Sequence, residues 1–319
     1  MTTLKLSPED NPSQHPIPTL TGNSKLWIGC FQAMASECEI LMEGLNEAQA
    51  TKLLLIAVKE TWRIEHKFSR YVTGNVMDRI NTSGGKIFEV DAETTSLLNF
   101  SEQCYQLSEG LFDISSGVLR QIWHFDGSDK IPNESQIKGV MKKVGWDKVI
   151  WHAPKLRLKT GMELDLGGIG KEYAVDRVVL ALQTEINTLL KSKQCENSAF
   201  VVNFGGDLAC SGTRLDGSAW AIGVESSEHD QSSVATVSLS QGAVATSGDS
   251  RRYLYKEGIR YSHILNPLTG ESVVDAPHAI SVAAPNCMQA GMLSTFAMLH
   301  GVQAEEFLDA QGHQYWVQR

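Results

Sequence analysis

The stretch Leu164-Asp-Leu-Gly-Gly-Ile-Gly-Lys-Glu-Tyr-Ala-Val-Asp176 joins two different hydrophobic patterns. Before its glycines, apolar residues at 162, 164 and 166 alternate with polar ones, which predicts a β-strand. After them, apolar residues from Tyr173 to Ile186 fall near helical spacing and predict a helix that ends near Lys193. The glycines allow a tight turn, and the start of the helix offers unpaired N–H groups to an anion. The stretch therefore predicts a phosphate-binding turn between a strand and a helix.

Two common nucleotide-binding motifs are absent from this stretch. A Walker A loop needs Gly and Ser or Thr where the chain has Asp165 and Glu172. A dinucleotide fingerprint needs its third Gly where Tyr173 stands. A glycine-rich connector without any ligand is the alternative interpretation, because such turns are common. Asp165 and Lys171, which flank the glycines, favour a binding site.

Composition narrows the class of protein. The chain has 319 residues, 42% hydrophobic and 20% charged, with a net charge of −9, so we expect a globular protein with no nucleic-acid partner. No apolar run reaches the roughly 18 residues of a membrane span. Residues 1–22 contain Pro12, Pro16 and Pro18 and lack the pattern of a secretory signal, so we expect a flexible tail before one domain over 23–319. Six cysteines without a CxxC pair favour the cytoplasm.

The rest of the chain reads as short strands and amphipathic helices. The apolar run over 27–42 predicts a strand interrupted at Ala33-Met-Ala-Ser36. Asp113 and Ser115 have the chemistry of helix caps. Other elements predicted from hydrophobic spacing are helices over 48–68, 97–107, 135–143 and 290–301, strands over 148–151 and 156–159, and a loop over 71–81.

Four further polar clusters stand at predicted element ends. They are Asn203-Phe-Gly-Gly-Asp207, Ala245-Thr-Ser-Gly-Asp249, His263-Ile-Leu-Asn-Pro-Leu-Thr-Gly270 and Leu293-Ser-Thr295. Each one alone is compatible with a hairpin or a cap. Together they favour a functional site, because polar residues gathered on loops over a rigid scaffold are how sites are built.

With the opening stretch, these motifs make the chain resemble the FAD:protein FMN transferases, the ApbE family, over roughly residues 26–301. The resemblance implies an α+β fold, related to the T-fold, with antiparallel sheets, packed helices and an FAD cleft between two halves. It also implies that FAD is cut at its pyrophosphate, that FMN is attached to a Ser or Thr hydroxyl of an acceptor flavoprotein, and that AMP is released. Mg²⁺ is implied as the cofactor, since a metal neutralises charge on a phosphoryl group under attack.

The resemblance also assigns roles by position. His263 is the expected acceptor of the hydroxyl proton. Gly168 is expected to reach the metal through its carbonyl, Thr295 through its side chain, and Gly291 occupies a third metal position. The expected cofactor contacts are Met34, Tyr71, Leu111, Phe112, Asp113, Asp165, Lys171 and Leu265.

Three positions depart from the family pattern. Met34-Ala-Ser36 stands for Met-Gly-Thr, Glu172 follows Lys171 in place of Gly, and Gly291 replaces an Asp that binds the metal. Mg²⁺ is usually held by one or two carboxylates with phosphates and waters, so this loss should weaken the metal. Two classes stay open: an active transferase that uses Thr295 and a substitute acid such as Glu172, or a noncatalytic FAD-binding homologue. Asp at 291 is expected to be tolerated and to strengthen metal binding.

Overall fold

The computed structural model of the chain describes residues 2–3, 15–225, 233–248 and 253–319. The strands are β1 Thr2–Thr3, β2 Thr19–Asn23, β3 Leu26–Ala33, β4 Ser36–Glu43, β5 Phe88–Glu89, β6 Ile150–His152, β7 Lys155–Arg157, β8 Ala199–Phe204, β9 Asp207–Cys210, β10 Trp220–Glu225, β11 Ser233–Leu239, β12 Gly242–Gly248, β13 Tyr253–Lys256, β14 Ile259–Ser262, β15 Ala279–Ala284 and β16 Tyr315–Gln318. The α-helices are α1 Glu47–Phe68, α2 Val76–Asn81, α3 Ala92–Leu107, α4 Glu134–Met141, α5 Gly170–Lys191, α6 Cys287–Leu299 and α7 Ala304–Gln311.

One large sheet organises the fold. Its strand order is β1-β2-β3-β4-β8-β9-β12-β15-β16, and every neighbouring pair is antiparallel. Smaller antiparallel sheets are formed by β10-β11, by β13-β14 and by β5-β7-β6. The predicted α+β class, with antiparallel sheets and packed helices, is confirmed.

The β3–β4 hairpin explains the interruption in the apolar run over 27–42. Its strands pair from Trp27 opposite Met42 to Ala33 opposite Ser36. Met34 and Ala35 are left as a two-residue turn with φ of 52° and 56°. Left-handed backbone at both turn positions matches the twist of a hairpin, although residues with side chains adopt it rarely. The hairpin therefore fixes Met34 in a restricted conformation at one end of the sheet.

Helices α1 and α5 form a layer with the large sheet. Leu54 and Val58 of α1, Ile40 of β4, and Val178 and Leu182 of α5 belong to one core and are all 0% exposed. Complete burial of such a side chain contributes roughly 1.5–3 kcal/mol. This layer fixes the direction of α5, and hence the place where its N-terminus meets the sheet.

The opposite face of β8 and β12 packs against the β10–β11 hairpin. Val201, Trp220, Val237, Leu239 and Val244 form this second core. Alternate residues of β8 point to opposite faces, as strand geometry requires, so each face of the sheet has its own apolar cover.

Helix α6 lies beside α5 and is fixed to it by a carboxylate. Asp176 of α5 accepts hydrogen bonds from the backbone N–H groups of Cys287 (2.8 Å) and Met288 (2.9 Å), in the first turn of α6. Asn286 caps the same helix by accepting from the N–H of Gln289. A carboxylate at a helix N-terminus satisfies donors that the helix itself leaves open. The starts of α5 and α6 are thereby held side by side.

A group of ion pairs joins α1, α3 and α5. Glu93 of α3 accepts from Arg63 Nη2 (2.6 Å), Lys67 Nζ (2.6 Å) and Tyr173 Oη (2.8 Å). Burial raises the pKa of Glu93, but these three donors outweigh it and lower that pKa to about 2. We call Glu93 and its three donors the Glu93 cluster.

Residues 162–166, predicted as a strand, pair with no strand of the described residues. Instead, the Asn81 side chain binds both backbone groups of Leu164, at 2.8 and 3.0 Å, and the Asp165 N–H donates to the carbonyl of Ile114 at 2.8 Å. The strand prediction is wrong because a side-chain amide satisfies backbone groups that a strand partner would otherwise bind.

In two other segments, part of a predicted loop or tail forms regular structure. The loop predicted over 71–81 contains α2, which begins where the Asn75 side chain accepts from the N–H of Asp78. The tail predicted over 1–22 overlaps β2, since Thr19 and Leu20 pair with Cys30 and Gly29 of β3. Residues 4–14 of that tail lie outside the described residues.

Candidate functional site

A cavity of about 1200 Å³ lies between the large sheet and the β10–β11 hairpin. Lys171 and His263, both predicted site residues, line it, as do Ala33 and Ala35 on either side of Met34. Small-molecule pockets are usually about 300–1,000 Å³. The space is therefore adequate for a ligand of dinucleotide size, and we call it the sheet-end cavity.

Lys171 is fixed in this cavity by a buried carboxylate. Its Nζ lies 2.7 Å from Oδ2 of Asp207, which is 2% exposed, and Oδ1 of Asp207 accepts from the N–H of Thr246 at 3.1 Å. Burial lowers the pKa of Lys171, but Asp207 outweighs burial and the net shift is upward. Lys171 therefore stays protonated as an ion pair with Asp207 in the first turn of α5, where helix N–H groups also favour phosphate oxygens.

The predicted glycine turn leads directly into α5. The N–H groups of Ile169 and Gly170 donate to the carbonyl of Leu166 at 3.0 and 2.8 Å. A Cβ at Gly168 would lie 3.2 Å from Cε2 of Phe112, so glycine allows the turn to pack closely on that ring. Within the described part of the chain no side chain caps α5. A bound anion can supply that acceptor.

Asp165 and Tyr71 are connected through Arg70. Arg70 donates from Nη1 to Oδ2 of Asp165 at 2.5 Å and from Nη2 to the hydroxyl of Tyr71 at 2.8 Å. Oδ1 of Asp165 accepts from the N–H of Gly167 at 3.0 Å. Tyr71 is 77% exposed, so its ring is available at the surface beside the glycine turn. Asp165 both shapes the turn and orients a guanidinium next to it.

A chain of hydroxyl groups runs from β12 to α6. Ser247 Oγ lies 2.9 Å from Oγ1 of Thr295 and 2.8 Å from Oγ of Ser294, and Ser294 donates to the carbonyl of Gly291 at 3.0 Å. Thr295, predicted as a metal ligand, is therefore part of a hydroxyl cluster formed by residues 247, 294 and 295. Oxygen donors of this kind suit a hard cation.

Gly291 stands directly against Glu172. A Cβ at 291 would lie 2.5 Å from Cγ, 2.7 Å from Oε1 and 2.9 Å from Cδ of Glu172. Burial, followed by the charge of Asp207, raises the pKa of Glu172 to about 8. The expectation that Asp would be tolerated at 291 is wrong while Glu172 is present, since the two side chains would occupy one space and place two carboxylates together.

Three of the predicted cofactor contacts, Leu111, Phe112 and Asp113, fall into two kinds. Leu111 is half-buried, and the ring of Phe112 lies 5.9 Å from that of Phe296 in a buried aromatic pair. Asp113 caps the 3-10 helix Ile114–Gln121: its Oδ1 accepts from the N–H of Ser115 at 2.7 Å and its Oδ2 from the N–H of Trp146 at 2.8 Å. The capping interpretation of Asp113 is confirmed, because both oxygens bind backbone within the fold.

Of the remaining predicted residues, His263 lines the sheet-end cavity, and Met34 lies between its lining residues Ala33 and Ala35. The N–H of Met34 donates to Oε1 of Glu65 at 2.8 Å, which fixes the hairpin turn against α1. The ring of His263 meets Phe125 edge to face at 6.2 Å. Leu265 packs on the buried cluster around Leu254. Their contacts with a ligand stay predictions.

The donors present fit magnesium better than a softer metal. No group of three or more His, Cys, Asp or Glu with metal-binding geometry occurs among the residues described. Instead, the hydroxyls of residues 247, 294 and 295, the carbonyl of Gly291 and the carboxylate of Glu172 lie where β12, α5 and α6 meet. Mg²⁺ typically combines one or two carboxylates with phosphate oxygens. Separately, no helix in the described part is long and apolar enough to cross a membrane.

Sequence reasoning missed three members of the site. Arg70 lies in no recognised motif, and its only indication in the sequence is that it precedes Tyr71. Ser247 and Asp207 lie inside quoted motifs, yet nothing in a single motif showed that one meets Thr295 and the other Lys171. These pairings join distant parts of the chain.

The fold and the cavity define an α+β protein with a cleft between the large sheet, the β10–β11 hairpin and the start of α5. A model of the ApbE family matches residues 34–316, and the chain belongs to that family. The FAD:protein FMN transferase of Vibrio cholerae is 29% identical over 245 residues, which cover 75% of this chain and 70% of that protein. The corresponding protein of Chlamydia muridarum is 28% identical over 309 residues, covering 89% and 91%.

Solved structures agree with this assignment. The ApbE protein of Thermotoga maritima superposes with a TM-score of 0.78 at 28% identity, covering 92% of this chain and 94% of that one. The flavin transferase ApbE of Vibrio cholerae gives a TM-score of 0.75 at 23% identity, covering 94% and 93%, and supports the fold alone.

Proposed function

We propose that this chain is an FAD:protein FMN transferase, which moves FMN from FAD to a Ser or Thr hydroxyl of an acceptor flavoprotein and releases AMP. The observation that carries the proposal is the position of Lys171, a protonated side chain at the start of α5 that shares the sheet-end cavity with His263 in a chain of the ApbE family. A cation, a glycine turn and a helix N-terminus that converge on one space suit a pyrophosphate.

The ligand contacts follow from where the residues lie. We assign the flavin to the end of the cavity beside the hairpin turn of Met34 and the loop of His263 and Leu265, and the phosphates to the part lined by Lys171. Asp165 acts on the phosphates through the glycine turn and Arg70. The contacts we propose for the other half of FAD are Tyr71, Leu111, Phe112 and the backbone near Asp113.

The transfer is a displacement at phosphorus. The oxygen of the acceptor hydroxyl forms a bond to the phosphorus of the FMN half, and the bond from that phosphorus to the oxygen of AMP breaks. His263 takes the hydroxyl proton, and Lys171 neutralises charge on the phosphate oxygens. Mg²⁺, when bound, supplies further neutralisation of that charge. Thr295 and the carbonyl of Gly168 would hold it, whereas Gly291 has no side-chain donor.

The noncatalytic alternative depended on the missing acid at 291. Glu172 places a carboxylate in the space beside that position, so the reason for preferring mere binding of FAD is weakened. Cytoplasmic location stays a prediction from the sequence.

The test is to incubate the full chain with FAD, Mg²⁺ and candidate acceptor proteins. Intact mass should show one added FMN on the acceptor, lost when its modified Ser or Thr is changed to Ala, and chromatography should show AMP in equal amount. Lys171→Met should abolish both products, while Lys138→Met, which removes an exposed lysine on α4, should change neither. Bound FAD with neither AMP nor a mass shift would refute the proposal.

A further inference from the structure

Glu172 is in an unfavourable place for a carboxylate with no bound cation. Its side chain is 9% exposed, and its Oε2 is buried with no hydrogen-bond partner among the residues described. Burial and the charges of Asp207 and Asp176 disfavour its ionised form, and together they outweigh Lys171 and the backbone N–H of Glu172 itself, which favour that form. Buried carboxylates are normally paired or coordinate metals. The unpartnered Oε2 is therefore placed as the oxygen of a cation ligand would be.

The direction of the Glu172 side chain indicates where that cation would lie. It leaves the first turn of α5 and ends against Gly291 in α6, where only a residue without a Cβ leaves room. Thr295 follows Gly291 by one helical turn, so it lies on the same side of α6. Ser294 contacts both the Gly291 carbonyl and Ser247, and Ser247 contacts Thr295. The carboxylate and the hydroxyl cluster therefore belong to one polar region between α5, α6 and β12.

We propose that Glu172 is the carboxylate that holds the divalent cation in this chain, reaching from α5 into the space that a side chain at position 291 of α6 would otherwise fill. The inference rests on the proposed function, because the phosphates of FAD complete the cation's oxygen ligands. It assigns a role to the most buried unpartnered carboxylate of the site, and it explains why position 291 must be glycine.

A consequence is that the carboxylate can be moved from position 172 to position 291 only if both residues are changed together. Adding a carboxylate at 291 while Glu172 is present crowds the site, and removing Glu172 while Gly291 is present leaves no carboxylate. The double substitution Glu172→Gly with Gly291→Asp moves the acid from α5 to α6 and keeps one carboxylate in the same space.

The test uses Mn²⁺ as the probe, measured by electron paramagnetic resonance with the full chain saturated with FAD. Glu172→Gln keeps the side-chain shape and should weaken Mn²⁺ binding by at least about tenfold, since even groups that only orient a ligand change metal affinity by about 10- to 100-fold. Its unfolding midpoint without metal should change little, because Gln keeps the shape of the side chain and burial already disfavours the charged form of Glu172. Glu43→Gln, at a buried carboxylate paired with Arg214 away from this region, should leave Mn²⁺ affinity unchanged. The double substitution should recover most of the lost affinity.

Mn²⁺ affinity of Glu172→Gln within twofold of the unmodified protein overturns the inference. So does a large fall in metal-free stability with unaltered Mn²⁺ binding, which would make Glu172 a structural residue. If the unmodified protein with FAD takes up no Mn²⁺, the inference also fails. FMN transfer, measured separately by acceptor mass, then decides whether the proposed function survives without it.

Discussion

The contact between Gly291 and Glu172 predicts strong coupling between two positions on different helices. In Gly291→Ala, the new Cβ would lie 2.5 Å from Cγ of Glu172, closer than carbon atoms approach in folded proteins. Overpacking of this kind costs about 1–3 kcal/mol, while replacing a helical Gly returns up to about 1 kcal/mol. We therefore expect the free energy of unfolding of the metal-free protein to fall by about 1–2 kcal/mol.

Removing Glu172 should turn the destabilising effect of Gly291→Ala into a stabilising one. Glu172→Ala deletes an unpartnered buried carboxylate but leaves a small cavity, and the two effects, each about 1–3 kcal/mol, nearly cancel. In the double variant the added Cβ meets open space, so Gly291→Ala should then stabilise the helix by about 0.5–1 kcal/mol. The coupling free energy of the cycle is the difference, about 2 kcal/mol.

The assay is urea unfolding in the presence of a chelator for the four members of the cycle, with the denaturant slope checked for constancy. Gly139 in α4 is the matched control, since a Cβ there meets nothing within 4 Å. Gly139→Ala should stabilise the protein by about 0.5–1 kcal/mol whether or not Glu172 is present. Effects of Gly291→Ala and Glu172→Ala that add within about 0.5 kcal/mol would refute the reasoning, because distant, independent sites behave in that way.

Three other predictions concern carboxylates with assigned partners. Since the folded pKa of Glu93 is lowered to about 2, the Glu93 cluster stabilises the protein above pH 4.5 and loses this effect as the pH falls toward 2. Glu93→Gln should therefore lower the free energy of unfolding by on the order of 1–3 kcal/mol at pH 7. In urea titrations this difference from the unmodified protein should narrow toward pH 3, and a difference that does not change with pH would mean that the cluster contributes nothing. Asp113→Ala should lower stability by about 1–3 kcal/mol through the backbone donors it leaves unpaired, and weaker FAD binding without this loss, by calorimetry, would contradict the capping role. Asp165→Asn should weaken FAD binding and lower metal-free stability by less than about 1 kcal/mol, since its pair with Arg70 is partly exposed; the reverse pattern would make Asp165 a purely structural residue.

Local chemistry made much of the fold predictable. The strand pattern over 27–42 with its interruption at Ala33–Ser36, the helix after the glycine turn and the helix at 48–68 each follow from hydrophobic spacing and end signals within one segment, and the structure resolves the interruption as a hairpin turn. The segment over 162–166 was misread because its alternation is genuine, yet its backbone bonds go to Asn81 and Ile114. Spacing reports which side chains are buried, and it cannot report which group satisfies the backbone.

In the candidate site, too, local features were predictable and long-range contacts were not. The motifs singled out Lys171 and Thr295 only as a set, because each glycine-rich or hydroxyl-rich segment alone is also compatible with a hairpin, a cap or a plain connector. They did not show that Asp207 fixes Lys171 or that Ser247 meets Thr295, since those contacts depend on how β9, β12, α5 and α6 are arranged.

At Gly291, comparing sequence positions and comparing the arrangement in space lead to different conclusions. In the family pattern that the sequence resembles, an acid is expected at position 291 and a glycine at position 172, whereas this chain has glycine at 291 and an acid at 172. In the fold the two positions face each other, and the glycine at one leaves the room that the carboxylate at the other occupies. A cation responds to charge and distance, whichever helix supplies the oxygen. On the proposal that Glu172 holds the cation, a residue-by-residue comparison underestimates the ability of this site to bind metal. The test for an ApbE protein with glycine at this position is then what its neighbouring helix places there.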